Sequence, residues 1–159
     1  MISGNASSGG GGNGITVGST VGPKDVDSLV VRGNTIGLNR AQDAAFPNGD
    51  GSTTSGGIEC NHGTNVDGTA VIEGNTIAGN TGHGIRLTAD CFDWHITDNY
   101  IGTNSNFAAD LGNDFDGITI LSDPNIGDAS EAAVRVDENV IGANGTSGGE
   151  GDGIDVKGS

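Results

Sequence analysis

Short apolar runs alternating with polar positions recur along the whole chain. Their inward-looking members are Leu29 and Val31, Ala70 and Ile72, Trp94 and Ile96, and Val134 and Val136. A period of two is strand behaviour, and nowhere do apolar residues recur at three-four spacing over a helical length. Three residues after each pair an Asn opens a second phrase, Asn-x-Ile-x-x-Asn. Its copies start at Asn34, Asn75, Asn99 and Asn139, and Ile2 reads as the remnant of a fifth. A third phrase, Gly-Ile-x followed by an aliphatic residue or Cys, places Ile15, Ile58, Ile85, Ile118 and Ile154.

The phrases keep one order from end to end, so each unit holds three short strands. Successive Asn-phrase isoleucines lie 34, 41, 24 and 40 residues apart. Constant strands with variable spacing fit a coil in which each strand pairs in parallel with its equivalent one turn later, while inserted loops project outward. The expected fold is all-β: a right-handed parallel β-helix of about five turns, with three short strands per turn and loop insertions. It forms one domain over residues 1–159, ~24 Å tall at the usual strand spacing. Ile36, Ile77, Ile101 and Ile141 should stack as an aliphatic column. Asn34, Asn75, Asn99 and Asn139 should form an amide ladder, placed where a sharp bend needs a residue that tolerates a left-handed backbone. Outward positions support this register: Arg32 meets Glu73 and Glu59 meets Arg86, as exposed pairs worth only ~0–1 kcal/mol each.

Composition narrows the function classes. A net charge of −15 argues against nucleic acid and against an anionic membrane surface. No stretch of 18 apolar residues exists to span a bilayer. The few aromatics cannot fill a wide core, but a thin stacked one needs only Ile, Val, Leu and Ala. Low aromatic content and high charge also fit disorder, which the strict periodicity rejects.

The phrases Gly74-Asn75-Thr76-Ile77-Ala78-Gly79-Asn80, Gly82-His83-Gly84-Ile85-Arg86-Leu87 and Asn99-Tyr100-Ile101-Gly102-Thr103-Asn104 resemble the right-handed parallel β-helix repeat family. That family includes pectate-lyase-like enzymes, phage tailspikes and bacterial or archaeal surface proteins. The resemblance covers essentially the whole chain, and it implies a fold more than a function, because repeat residues build the coil. A polygalacturonase-type site would imply a Gly/Ser-His-Gly step, which Gly82-His83-Gly84 matches, but the paired Asp-Asp and Arg-Ile-Lys motifs are absent. His83 also sits where the coil needs a turn residue, which is the preferred reading. A lyase-type site would need calcium carboxylates beside a basic residue, and only Lys24, Lys157, Arg32, Arg40, Arg86 and Arg135 are basic.

Asp110, Asn113, Asp114 and Asp116 place four oxygen-bearing side chains within seven residues, a candidate calcium loop. The stretch 150–155 is a thinner candidate. A solvated acidic surface is the plainer account of both. Cys60 and Cys91 fall in adjacent turns, either bridged as a disulfide or left as two buried thiols; metal binding with His62 is a weaker third option. Asn5-Ala6-Ser7 and Asn144-Gly145-Thr146 match glycosylation sequons, which arise by chance in so Asn-rich a chain.

The expected role is a non-catalytic structural β-solenoid of an exported cell-surface, adhesive or filament-forming protein. It would be an uncapped segment of a longer β-helix, or a subunit that self-associates head-to-tail through open ends. The insertions at 39–57, 104–117 and 121–132 would form its variable outer surface. The alternative is a carbohydrate-binding or polysaccharide-cleaving module, a lyase or glycoside hydrolase.

Overall fold

A computed structural model describes residues 1–5, 12–18, 24–26, 28–61, 64–66, 70–88, 91, 93–121, 134–146, 148 and 151–157. The insertion expected at 121–132 lies, beyond Leu121, outside the described residues, as does His62. The chain is an all-β parallel β-helix whose strands stack in register. One sheet orders β1 (Ile15–Val17), β5 (Gly56–Cys60), β9 (His83–Leu87), β12 (Ile118–Leu121) and β15 (Ile154–Lys157). A second orders β3 (Leu29–Arg32), β7 (Ala70–Glu73), β10 (Trp94–Thr97) and β13 (Arg135–Asp137). The third orders β4 (Thr35–Ile36), β8 (Thr76–Ile77), β11 (Tyr100–Ile101) and β14 (Val140–Ile141), with Ile2 bridged to Ile36 ahead of it. A small parallel pair, β2 (Lys24–Val26) with β6 (Thr64–Val66), had no repeat signal in the sequence.

Register makes the core. Ile36, Ile77, Ile101 and Ile141 pair in sequence down the third sheet, and Ile15, Ile58, Ile85, Ile118 and Ile154 down the first. Columns of identical side chains one strand-spacing apart exclude water without bulky residues. Ala70 lies opposite Trp94 in the second sheet, so a small residue makes room for the one indole. The indole N–H is buried and has no acceptor among the described residues, a local cost of about 1–3 kcal/mol. Cys60 and Cys91 are joined by a disulfide that ties neighbouring turns, with Cα atoms 6.2 Å apart. Both sulfurs are thereby consumed, which removes the thiolates a metal site there would need.

Two amide ladders run the length of the coil. In the first, the amide nitrogens of Asn34, Asn75 and Asn99 each donate to the Oδ1 of the Asn one turn on, ending at Asn139, at 3.4, 3.0 and 2.9 Å. The reason for Asn at these places differs from the expectation. The left-handed residue is the one before it: Gly33, Gly74, Asp98 and Glu138 all have positive φ. Asn is there for its amide. The second ladder runs Asn5, Asn48, Asn80, Asn113 and Asn144.

The insertions cluster around the shortest turn. Residues 37–47 and 102–112 leave the coil at Gly37 and Gly102, whose positive φ and close approach to the next turn's carbonyls leave no space for a Cβ. Leu38, Ala78 and Leu111 bury together as a small second core. Asn104 Nδ2 reaches across to donate to the Gln42 carbonyl at 2.8 Å, so the two insertions clasp the intervening turn.

Candidate functional site

Outward positions of the first sheet form a row across the turns: Thr16, Glu59, Arg86, Thr119 and Asp155. On a two-sided sheet this row should be wet. Instead Glu59 and Thr119 are buried, and His83 and Asp116 beside them are buried too. The expectation of an exposed Glu59–Arg86 pair is therefore corrected: the pair is formed, at 2.7 Å, with side chains only 6% and 13% exposed. Asn13 donates its side-chain amide to the other Glu59 oxygen, so the carboxylate is satisfied on both sides.

A groove of about 260 Å³ opens on this face, lined by Thr53, His83, Arg86, Phe115, Asp116 and Lys157 among others. His83 occupies its floor. Its Nε2 lies 3.1 Å from the Thr53 carbonyl, its Nδ1 2.9 Å from Thr119 Oγ1 and 3.3 Å from Asp116 Oδ2. Thr119 donates to the same Asp116 oxygen at 2.7 Å, and the Asp152 N–H donates to the other at 2.8 Å. The Phe115 ring packs 5.4 Å from the imidazole. Burial pushes the His83 pKa below its ordinary value; the Asp116 charge and the Thr53 hydrogen bond oppose this, while Arg86 and Lys157 add to it. At the mouth, Lys157 meets Asp155 at 2.6 Å, a bond that raises the ammonium above its usual range.

The candidate calcium residues are dispersed. Asn113 is fully buried in the second ladder, Asp114 accepts from Thr146 at 2.7 Å, Asp110 is exposed on the 102–112 insertion, and Asp116 faces the groove. A calcium ion drawing on all four would require Asn113 to leave the ladder. Among the described residues, the carboxylates that do converge are Asp116, Asp152 and Asp155, with oxygens within 4.8 Å of one another. Their donor set fits a cation poorly, since both Asp116 oxygens already accept hydrogen bonds and Asp155 holds an ammonium. Glu150 lies outside the described residues. The sequon at Asn144 is spent on the ladder, where its Oδ1 accepts from Asn113.

Sequence reasoning singled out His83 and Asp116 separately and missed Thr119, Thr53 and Phe115. The signal that unites them is register: Thr119 is one turn below Arg86, so residues far apart in the chain share one face.

The fold and groove together define a parallel β-solenoid with a lateral polar pocket. No protein-family model, curated protein or solved structure matches the chain.

Proposed function

We propose that the protein is a non-catalytic structural β-solenoid of an exported cell-surface, adhesive or filament-forming assembly. One observation carries this reading: the ionisable groups of the groove are closed on one another. Both His83 nitrogens, both Asp116 oxygens, Arg86 and Lys157 each have a protein partner within hydrogen-bonding reach. A general acid or base must present an atom to the substrate proton; His83 and Asp116 are buried against each other, and Lys157, at the mouth, would have to leave Asp155. The disulfide supports export, because such bridges persist in oxidising compartments. Incubation with neutral and acidic polysaccharides, followed by reducing ends and unsaturated uronate absorbance, should give no cleavage. Cleavage that disappears in His83→Ala would overturn the reading.

A second reading, carbohydrate binding, has one observation in its favour. The groove sets the Phe115 ring beside polar groups, and sugars stack on aromatic faces while hydrogen-bonding at their rims. Titration calorimetry against the same polysaccharides separates the two: heat of binding without cleavage favours this second role.

A further inference from the structure

We infer that the corner formed by Tyr100 and Phe107, on the outer face of the third sheet, binds a neutral saccharide, with one sugar ring stacked on the Phe107 phenyl. The site lies apart from the groove and goes beyond the structural role proposed above.

The two insertions are copies of one arch. Each runs nine residues from the closing Asn of its phrase to an Asn of the second ladder, Asn39 to Asn48 and Asn104 to Asn113. In each, the third residue after the opening Asn donates its N–H to the Asn carbonyl, Gln42 at 3.0 Å and Phe107 at 2.9 Å. Both of these residues have a φ of 58°. The fourth residue, Asp43 or Ala108, donates its N–H to the Asn Oδ1 at 3.3 Å in both arches. Backbone and cap coincide, so the arches differ in the side chain carried at the left-handed seat.

Gln42 has a structural task there. Its Nε2 donates to Thr35 Oγ1 at 2.9 Å and its Oε1 accepts from Thr76 Oγ1 at 3.4 Å, which joins β4 to β8. Phe107 makes no such link. It is 67% exposed, and a positive φ is costly for so bulky a side chain. Its ring meets Tyr100 edge to face, with centroids 6.3 Å apart and planes at 71°. Tyr100 stands outward on β11, seven residues earlier, as Thr35 stands seven residues before Gln42. A strained backbone that holds an aromatic ring in solvent, where the core gains little from it, marks a ligand contact.

The chemistry of the corner selects the ligand. Two aromatic rings supply apolar surface, and the Tyr100 hydroxyl has no hydrogen-bond partner among the described residues. Tyr100 pairs in register with Thr76, so the half-buried Gln42 amide borders the corner. Beyond its two threonine bonds that amide keeps one N–H and one lone pair. An apolar platform with a polar rim fits a pyranose, whose C–H face stacks while its hydroxyls meet the phenol and the amide. The net charge of −15 disfavours uronates and sulfated sugars. Two rings also offer far less than the ~800 Å² that each partner contributes to a stable protein interface.

The test is titration calorimetry and saturation-transfer NMR of the purified chain. The probes are neutral hexasaccharides of glucose, xylose and mannose, with hexagalacturonate and an oligoproline peptide alongside. A neutral hexasaccharide is expected to bind, with its ring C–H protons saturated most strongly. Phe107→Ala should weaken binding about tenfold, the scale of one lost aromatic anchor, and leave the thermal midpoint in place because the side chain is exposed. Phe107→Gln, which copies the first arch, should do the same; Tyr100→Phe should lose less, and Phe115→Ala should bind like the parent. The site is overturned if the parent binds none of the neutral sugars, prefers hexagalacturonate or the peptide, or keeps its affinity in Phe107→Ala. Affinity lost in Phe115→Ala would put the sugar in the groove and overturn the corner. None of these readouts involves cleavage, so failure here leaves the structural role standing.

Discussion

Arg32–Glu73 and Arg86–Glu59 are the same chemical pair, each formed across one turn of the coil at 2.7 Å. They sit on different faces. The first has side chains 62% and 34% exposed; the second, 13% and 6%. Position in the repeat is identical in kind, so the difference comes from what lies over the sheet. The second sheet meets solvent directly, whereas over the first the 49–55 loop and the turn carrying Phe115 and Asp116 build up the walls of a groove. Outward in a coil is therefore not the same as exposed, and a pair that is close to neutral on one face becomes an obligation on the other.

The largest break in that comparison comes at the column both faces share. Ile77 is fully buried, and Ile77→Asp strands a carboxyl among aliphatic side chains. The loss should exceed about 5 kcal/mol, comparable with the whole stability of a domain this size, so the variant should lack a cooperative thermal transition. Next come the pairs themselves. Arg86→Ala leaves Glu59 buried and charged and should cost about 3–5 kcal/mol, read from urea denaturation. Arg32→Ala on the open face should cost about 0–1 kcal/mol. Equal losses at the two sites would mean that the groove is wet and the contrast false.

The smallest effect is a pH slope. The unfolded chain protonates His83 near the ordinary value of 6.5, while the folded chain does so only at lower pH. Stability from this group is thus full above 6.5 and declines as pH falls through the folded value. On the open face, Asp137 is held below the carboxylate value of 3.8 by its His95 hydrogen bond, so its contribution is lost only in stronger acid. Urea midpoints measured from pH 8 to pH 5 should fall, and His83→Gln should flatten that fall.

The strands, their register and the first ladder were legible because each recurs at a fixed offset from an isoleucine. The second ladder was hidden by counting from the wrong landmark. The closing Asn of the Asn-x-Ile-x-x-Asn phrase belongs to the ladder at Asn80 and Asn144, but Asn39 and Asn104 fall inside insertions, and Asn48 and Asn113 replace them. Counted back from the Gly-Ile step, every ladder Asn lies four or nine residues ahead. The groove was less legible still. Its walls are loops, and loops follow no period, so nothing short of the folded turn brings Thr53 onto His83.

The second ladder also bears on how the molecule ages. Asn48 and Asn144 are each followed by glycine, the pairing in which a free chain most readily loses side-chain ammonia, because the glycine nitrogen can attack the amide carbon; asparagine is accordingly among the thermolabile residues. Here the attacking nitrogens are occupied: Gly49 N–H donates to Gly12 at 2.7 Å and Gly145 N–H to Asn113 at 2.9 Å. The amides are held as well, Asn48 to Asn80 and Asn144 to Asn113. Neither partner can rotate into the ring that deamidation requires while the turn is intact. The hydrogen bonds that hold turn to turn thereby also set the chemical lifetime of the chain.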